Sequence, residues 1–136
     1  MTSDGADHEP EYHRLDQALP RVAQLVRDLH GRPGNQGAVG AVIQAYLYRS
    51  QKDVEELCAE GIRIRLCKGA YKEPADIAIQ AKSDVDANFL KLTGILLESG
   101  VFHGIATHDE VLVADAMEMI KEFQIPKERY EFQMLY

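Results

Sequence analysis

Short apolar runs alternate with longer amphipathic ones along this chain, and parallel strands joined by helices satisfy both periods at once. Gly37 to Leu47 (GAVGAVIQAYL) is almost wholly apolar and partly β-branched, which predicts a strand buried on both faces. Ser50, with Asp53 three residues on, predicts a capped helix that buries Val54 and Leu57 and stops at Gly61. Ile62 to Lys68 predicts a second strand. After an irregular stretch, Ser83 and Asp86 open a helix with Val85, Phe89, Leu92 and Leu96 on one face, ending at Gly100. Val101 to Thr107 is a third strand, Asp109 caps a helix through about Phe123, and Tyr130 to Tyr136 is a fourth strand. The class is therefore α/β. Barrel and open sheet both fit the pattern, but a complete (β/α)₈ barrel needs about 250 residues, so about four strands supply half of one.

Ahead of these units, Leu19, Val22, Leu25, Val26 and Leu29 recur at helical spacing and the segment closes on Gly31 and Pro33, an amphipathic helix. Residues 1–14 are charged, carry Gly and Pro and show no periodicity, so they are expected to be a disordered leader before a domain at 15–136. With 15 Lys+Arg against 22 Asp+Glu the net charge is −7, which argues against nucleic acid as a partner. Two cysteines, Cys58 and Cys67, suggest neither a disulfide framework nor a metal knuckle, and no metal site is expected. No run of 18 apolar residues occurs, and a cytoplasmic setting fits best.

In the second strand the period of two sends Ile62, Ile64 and Leu66 to one face and Arg63, Arg65 and Cys67 to the other. A guanidinium on a covered face needs a carboxylate, water or a ligand, whereas on a solvated face it needs nothing. Lys68, Gly69, Ala70 and Tyr71 follow at the strand's C-terminal end, where catalytic and phosphate-binding groups collect in α/β barrels. Gly69 lets a ligand approach the backbone. The third strand ends Ala106-Thr107-His108-Asp109, placing His108 beside the first turn of a helix whose free N–H groups attract anions. Taken alone, His108 reads as an incidental residue of a capping segment. Gln44 and Gln133, amides among apolar neighbours, need partners and could each find one on a neighbouring strand. Gln44, Arg65, Lys68, His108 and Gln133 all fall toward strand C-termini, so one ligand on one rim could satisfy them all.

VIQAYLYRS (Val42 to Ser50), RIRLCKGAYKEP (Arg63 to Pro74), KSDVDANFLKL (Lys82 to Leu92), GIATHDE (Gly104 to Glu110) and YEFQMLY (Tyr130 to Tyr136) together resemble the proline dehydrogenase family, in family order and spacing over about residues 19–136. The resemblance implies a (β/α)₈ barrel holding FAD across the C-terminal ends of its middle strands. It also implies oxidation of L-proline to Δ1-pyrroline-5-carboxylate, with electrons passed to a quinone at the membrane surface. By the same resemblance Gln44, Arg65, Lys68, Gly69, Thr107, His108 and Gln133 contact the flavin. Arg65 is the catalytic cation near its reactive nitrogen, and Tyr71 and Leu135 pack against the proline ring. The family's early strands and its closing arginine pair have no counterpart here, so the chain is expected to be a fragment or one half of a split enzyme. On that reading it is inactive alone and is completed by a complementary barrel fragment. The alternative is a catalytically inactive half-barrel that self-associates through its open edges. An aldolase-like barrel using Lys68 as a Schiff base leaves Arg65 and the glutamines unexplained.

Overall fold

A computed structural model describes residues 15–32, 40–69 and 72–133. The order is α1 (Leu15–His30), β1 (Gly40–Gln44), α2 (Ser50–Ala59), β2 (Arg63–Cys67), α3 (Lys82–Glu98), β3 (His103–Ala106), α4 (Glu110–Glu122), a 3₁₀ turn (Lys127–Arg129) and β4 (Tyr130–Gln133). All strand pairs are parallel, and the sheet order β1-β2-β3-β4 follows the chain. Doubly wound sheets reverse their order at a switch point. This one never does, so it is an arc of a (β/α)₈ wall. The leader, the start of the first predicted strand at 37–39 and the end of the fourth at 134–136 lie outside the described residues.

The alternation in β2 sets which side is core. Ile62, Ile64 and Leu66 are buried against Val54 and Leu57 of α2 and Phe89, Leu92 and Leu96 of α3, and Ile43 and Ile105 extend this layer onto the neighbouring strands. Phe89 is fully buried, and truncating such a side chain to alanine costs about 3–5 kcal/mol. On the opposite face Val42 is 51% exposed, Arg63 lies over the Phe102 ring at 4.6 Å, and Glu131 is exposed. The apolar run of β1 is thus buried on its helix side alone, a correction to the expectation of two covered faces. A run with few polar residues carries no parity, so its sequence could not show which half would be uncovered.

Helix ends follow the glycines. Gly61 (φ 74°) and Gly100 (φ 80°) take the left-handed conformation just past α2 and α3. Helix starts differ from expectation at two of three places. Ser50 caps nothing: its hydroxyl accepts from Asn88 Nδ2 at 3.1 Å, while Asp53 pairs with Arg49 at 2.7 Å. Asn88 Nδ2 also donates to the Ala45 carbonyl at 2.8 Å, tying α3 to the end of β1. α3 starts at Lys82 without a side-chain cap, and Asp86 is spent on lysines. Asp109 does cap α4, accepting from the N–H groups of Val111 and Leu112. On α1 Val26 is buried, but Val22 and Leu25 are 48% and 58% exposed, so the predicted apolar stripe is only partly covered. Its anchor is polar instead: Arg27 Nε donates to both carboxylate oxygens of Glu60, at 2.8 and 2.9 Å. Among the described residues no helix is long and apolar enough to cross a membrane.

Among the described residues His103 is the one histidine in the core layer, 1% exposed on the helix side of β3. Its Nδ1 accepts the Ile64 N–H at 2.9 Å, so the ring hydrogen sits on Nε2 and donates to Ser99 Oγ at 2.9 Å, with Cys58 Sγ at 3.5 Å. Burial, reinforced by the nearby Arg63 charge, pushes the imidazole down to about 4. The folded state therefore holds His103 neutral, while the unfolded chain takes up a proton near pH 6.5. Its contribution to stability is complete above that pH and is lost as the pH falls from about 6.5 to about 4, a loss on the order of 3 kcal/mol. Urea unfolding at pH 7.5 and 4.5 should show this decline. His103→Gln should be less stable at pH 7.5 and should lose most of the slope; an unaltered slope would assign the acid sensitivity elsewhere.

Candidate functional site

Four strand ends and the loops after β1, β2 and β3 build the site. Beyond β1 the chain stays paired with the end of β2, through Ala45 N–H to the Cys67 carbonyl (2.7 Å) and Tyr46 N–H to the Lys68 carbonyl (2.9 Å). The loop leading to α3 folds back on this extension, with Ile79 N–H donating to the Tyr46 carbonyl at 2.7 Å and Leu47 bridging Ala78. Gly69 takes φ 117°, and a β-carbon there would lie 2.3 Å from Cδ1 and 2.5 Å from Cε1 of Tyr46. The buried Tyr46 ring therefore lies flat under the Gly69 backbone and fixes the loop at the rim. Only glycine meets both conditions.

A cleft of about 530 Å³ opens at the C-terminal ends of the strands, lined by Gln44, Arg65, Cys67, Lys68, Gly69, Ala106, Thr107, His108, Asp109 and Gln133. That size suits a cofactor or drug-sized ligand. Seven of the nine sequence-predicted site residues meet there: Gln44, Arg65, Lys68, Gly69, Thr107, His108 and Gln133. Tyr71 and Leu135 lie outside the described residues.

Arg65, Lys68 and Thr107 are each tied to a neighbour. Arg65 Nε donates to Gln133 Oε1 at 2.7 Å. Lys68 Nζ sits between Asp109 Oδ2 (3.2 Å) and Asp86 Oδ1 (3.4 Å), and Asp86 is shared with Lys82 at 2.9 Å. Hydrogen bonding to Lys68 holds the Asp109 carboxyl below its usual range, and Lys82 does the same for Asp86. Thr107 Oγ accepts the Asp109 N–H at 3.0 Å, fixing the turn into α4. The first N–H groups of α4 are already bonded to Asp109, so they are not the free anion site expected beside His108. Positive charge in the cleft comes from side chains. Burial raises the Cys67 thiol above its ordinary value, with Arg65 pulling weakly the other way, so it stays an unreactive thiol at neutral pH. A Schiff-base lysine needs a free amine, whereas Lys68 is ion-paired with two carboxylates.

Tyr46 beneath Gly69, and the carboxylates Asp86 and Asp109 as partners of Lys68, are what sequence reasoning missed. The aspartates looked like helix caps, and only one of them is. Nothing local marks Tyr46 as a wedge.

A parallel wall with cationic and amide groups gathered at its C-terminal rim defines a protein of the (β/α)₈ barrel class, with a polar cleft where such barrels carry their sites. Residues 7–136 match the family described as Proline dehydrogenase. The chain is 44% identical over 98 residues to "Proline dehydrogenase 2" of Bacillus subtilis (strain 168), covering 72% of this chain and 32% of that protein. With "Proline dehydrogenase 1" of the same strain it shares 43% over 126 residues, covering 93% and 39%. The crystal structure of proline utilization A from Bdellovibrio bacteriovorus inactivated by N-propargylglycine superposes with a TM-score of 0.65 at 34% identity, over 71% of this chain and 12% of that one. The chain belongs to the proline dehydrogenase family. It spans about a third to two-fifths of the length of these curated relatives.

Gly69→Ala should lower stability by about 2 kcal/mol or more, since alanine meets both a disfavoured backbone angle and the Tyr46 ring. Urea unfolding measures this, and an unshifted midpoint would show that the loop relaxes away from the ring at little cost.

Proposed function

We propose that this chain contributes the FAD-holding rim of an enzyme that oxidises L-proline to Δ1-pyrroline-5-carboxylate, the first step of proline breakdown toward glutamate. The observation that carries the reading is the convergence of Gln44, Arg65, Lys68, Gly69, Thr107, His108 and Gln133 on one cleft in a chain of this family. The donor set suits a flavin dinucleotide: a guanidinium, an ammonium and an imidazole for anionic parts, amides for ring edges, and a glycine where backbone must come close. A bound flavin would supply the two-electron acceptor for the hydride that leaves the carbon beside the proline ring nitrogen, the nitrogen losing its proton as the C=N bond forms, and would return those electrons to a quinone at the membrane surface.

In this reading the chain's residues orient and stabilise. Arg65 supplies a fixed cation for the negative charge that hydride arrival brings, and it is prealigned through Gln133. Lys68 and His108 hold more peripheral parts of the cofactor, and Asp86 and Asp109 keep Lys68 in place. Tyr71 and Leu135 are assigned to the proline ring. The protein acts in the cytoplasm, peripherally at the inner membrane face. Among the described residues the outer edges of β1 and β4 are unpaired. That favours completion of the wall by further barrel strands, and as a second reading self-association of the chain.

The test is dye-linked proline oxidation with added FAD, run beside a sizing column and repeated with a complementary barrel fragment. Arg65→Ala should slow flavin reduction by proline by about 10²-fold, and Arg65→Lys should recover part of the loss because the ammonium lacks the planar fork. Flavin reduction at an unchanged rate in both variants would remove Arg65 from this role.

A further inference from the structure

We propose that Gly104 is a positioning residue for Arg65, acting through Gln133: its missing side chain opens the lane across β3 along which the Gln133 amide reaches β2. This deepens the reading of Arg65 as the catalytic cation and rests on it. β2 and β4 do not touch as strands. Each pairs with an opposite side of β3, with Arg65 and Glu131 both in register with Gly104. Two strand spacings amount to about 9.6 Å, too far for backbone pairing, yet Gln133 Oε1 lies 2.7 Å from Arg65 Nε.

Gly104 is where that crossing happens. A β-carbon on it would lie 2.4 Å from Gln133 Nε2, 2.7 Å from Cδ and 3.0 Å from Oε1. Its backbone is not in the left-handed region, unlike Gly61, Gly69 and Gly100, so the glycine serves space rather than conformation. Glu131 completes the device. Gln133 Nε2 donates to Glu131 Oε1 at 3.3 Å, which orients the amide so that its oxygen faces the guanidinium. With Nε engaged, the two terminal nitrogens of Arg65 have no partner among the described residues, and Arg65 lines the cleft. Any larger residue at 104 closes the lane. The Gln133 amide is the flexible end of a side chain and can swing aside, so alanine at 104 should break the bridge without breaking the fold.

The experiment is a cycle of Gly104→Ala, Gln133→Ala and the double variant on the full chain. The Arg65 Nε–Hε resonance, read by NMR without cofactor, should show a hydrogen-bonded, slowly exchanging proton in the wild type. That protection should vanish in both single variants while circular dichroism stays unchanged. FAD affinity, from quenching of flavin fluorescence, should fall about fivefold in Gly104→Ala. Adding the alanine to Gln133→Ala should change affinity less than twofold, because the lane is then empty. An Arg65 signal that survives Gly104→Ala overturns the proposal, as does an equal loss of affinity in both backgrounds, which would make Gly104 a packing residue. Should Gly104→Ala lose its fold, a protected Arg65 proton in Gln133→Ala still refutes the bridge. Loss of protection in the variants of a chain that binds no FAD would uphold the lane and remove the cofactor reading instead.

Discussion

Everything in this structure depends on the two-residue alternation of β2. One parity, Ile62, Ile64 and Leu66, is driven against the helices by the cost of leaving aliphatic surface in water, at roughly 25 cal/mol per Å². The other parity then has no choice of direction. Arg63, Arg65 and Cys67 point away from the helices, and the pairing registers carry that assignment to Gln44 on one side and to Gly104 and Gln133 on the other. A slip of one residue would send two guanidinium groups into the layer beneath α2 and α3. The hydrophobic core thus acts as the jig that points the polar groups at the cleft, and packing and site geometry come from one constraint.

That is also why the architecture could be read from the sequence. Apolar runs, helical periods and stop glycines are signals within a few residues, and Gly61 and Gly100 act where the periodicity ends. The convergence of Gln44, Lys68, His108 and Gln133 was legible for a topological reason: in parallel units every strand end of one kind lies on one rim, whatever the side chains do. What could not be read is set by contacts between distant segments. Ser50 and Asp86 look like caps because their local spacing is that of caps, yet Asn88 and Lys68 offered better partners from 38 and 18 residues away. His103 was readable in principle, since it shares the parity of the buried Ile105. Its partners, Ile64 on β2, Ser99 after α3 and Cys58 on α2, were not.

The two glycines of the site illustrate the same limit in different ways. Gly69 carries a backbone angle that a side chain resists and touches an aromatic ring that a side chain would strike, so it is fixed twice over. Gly104 has an ordinary strand conformation, in which glycine is usually a weakness because it loses more entropy and packs nothing. Its presence is explained only by the Gln133 amide that lies across it. Sequence context presents Gly69 as a small residue after a strand and Gly104 as one inside a strand, and only the third dimension separates a turn requirement from a clearance requirement.

Charge in the cleft is arranged so that position is settled before any ligand arrives. Lys68 and Lys82 face Asp86 and Asp109, a group with no net charge, and Asp109 also closes the first turn of α4. Such a cluster contributes little attraction at long range, and with 22 acidic residues against 15 basic ones the chain as a whole repels anions. On the proposed reading of the cleft as a cofactor site, selectivity then acts at short range, through groups already in place: a lysine held at two points, a guanidinium held at its Nε, a backbone exposed at Gly69. Preorganisation of this kind removes the entropy of ordering long side chains from the cost of binding, up to about 2 kcal/mol for each lysine or arginine. The aspartates that would compete with an anionic ligand for Lys68 are, in this balance, what would make its short-range contact worth having.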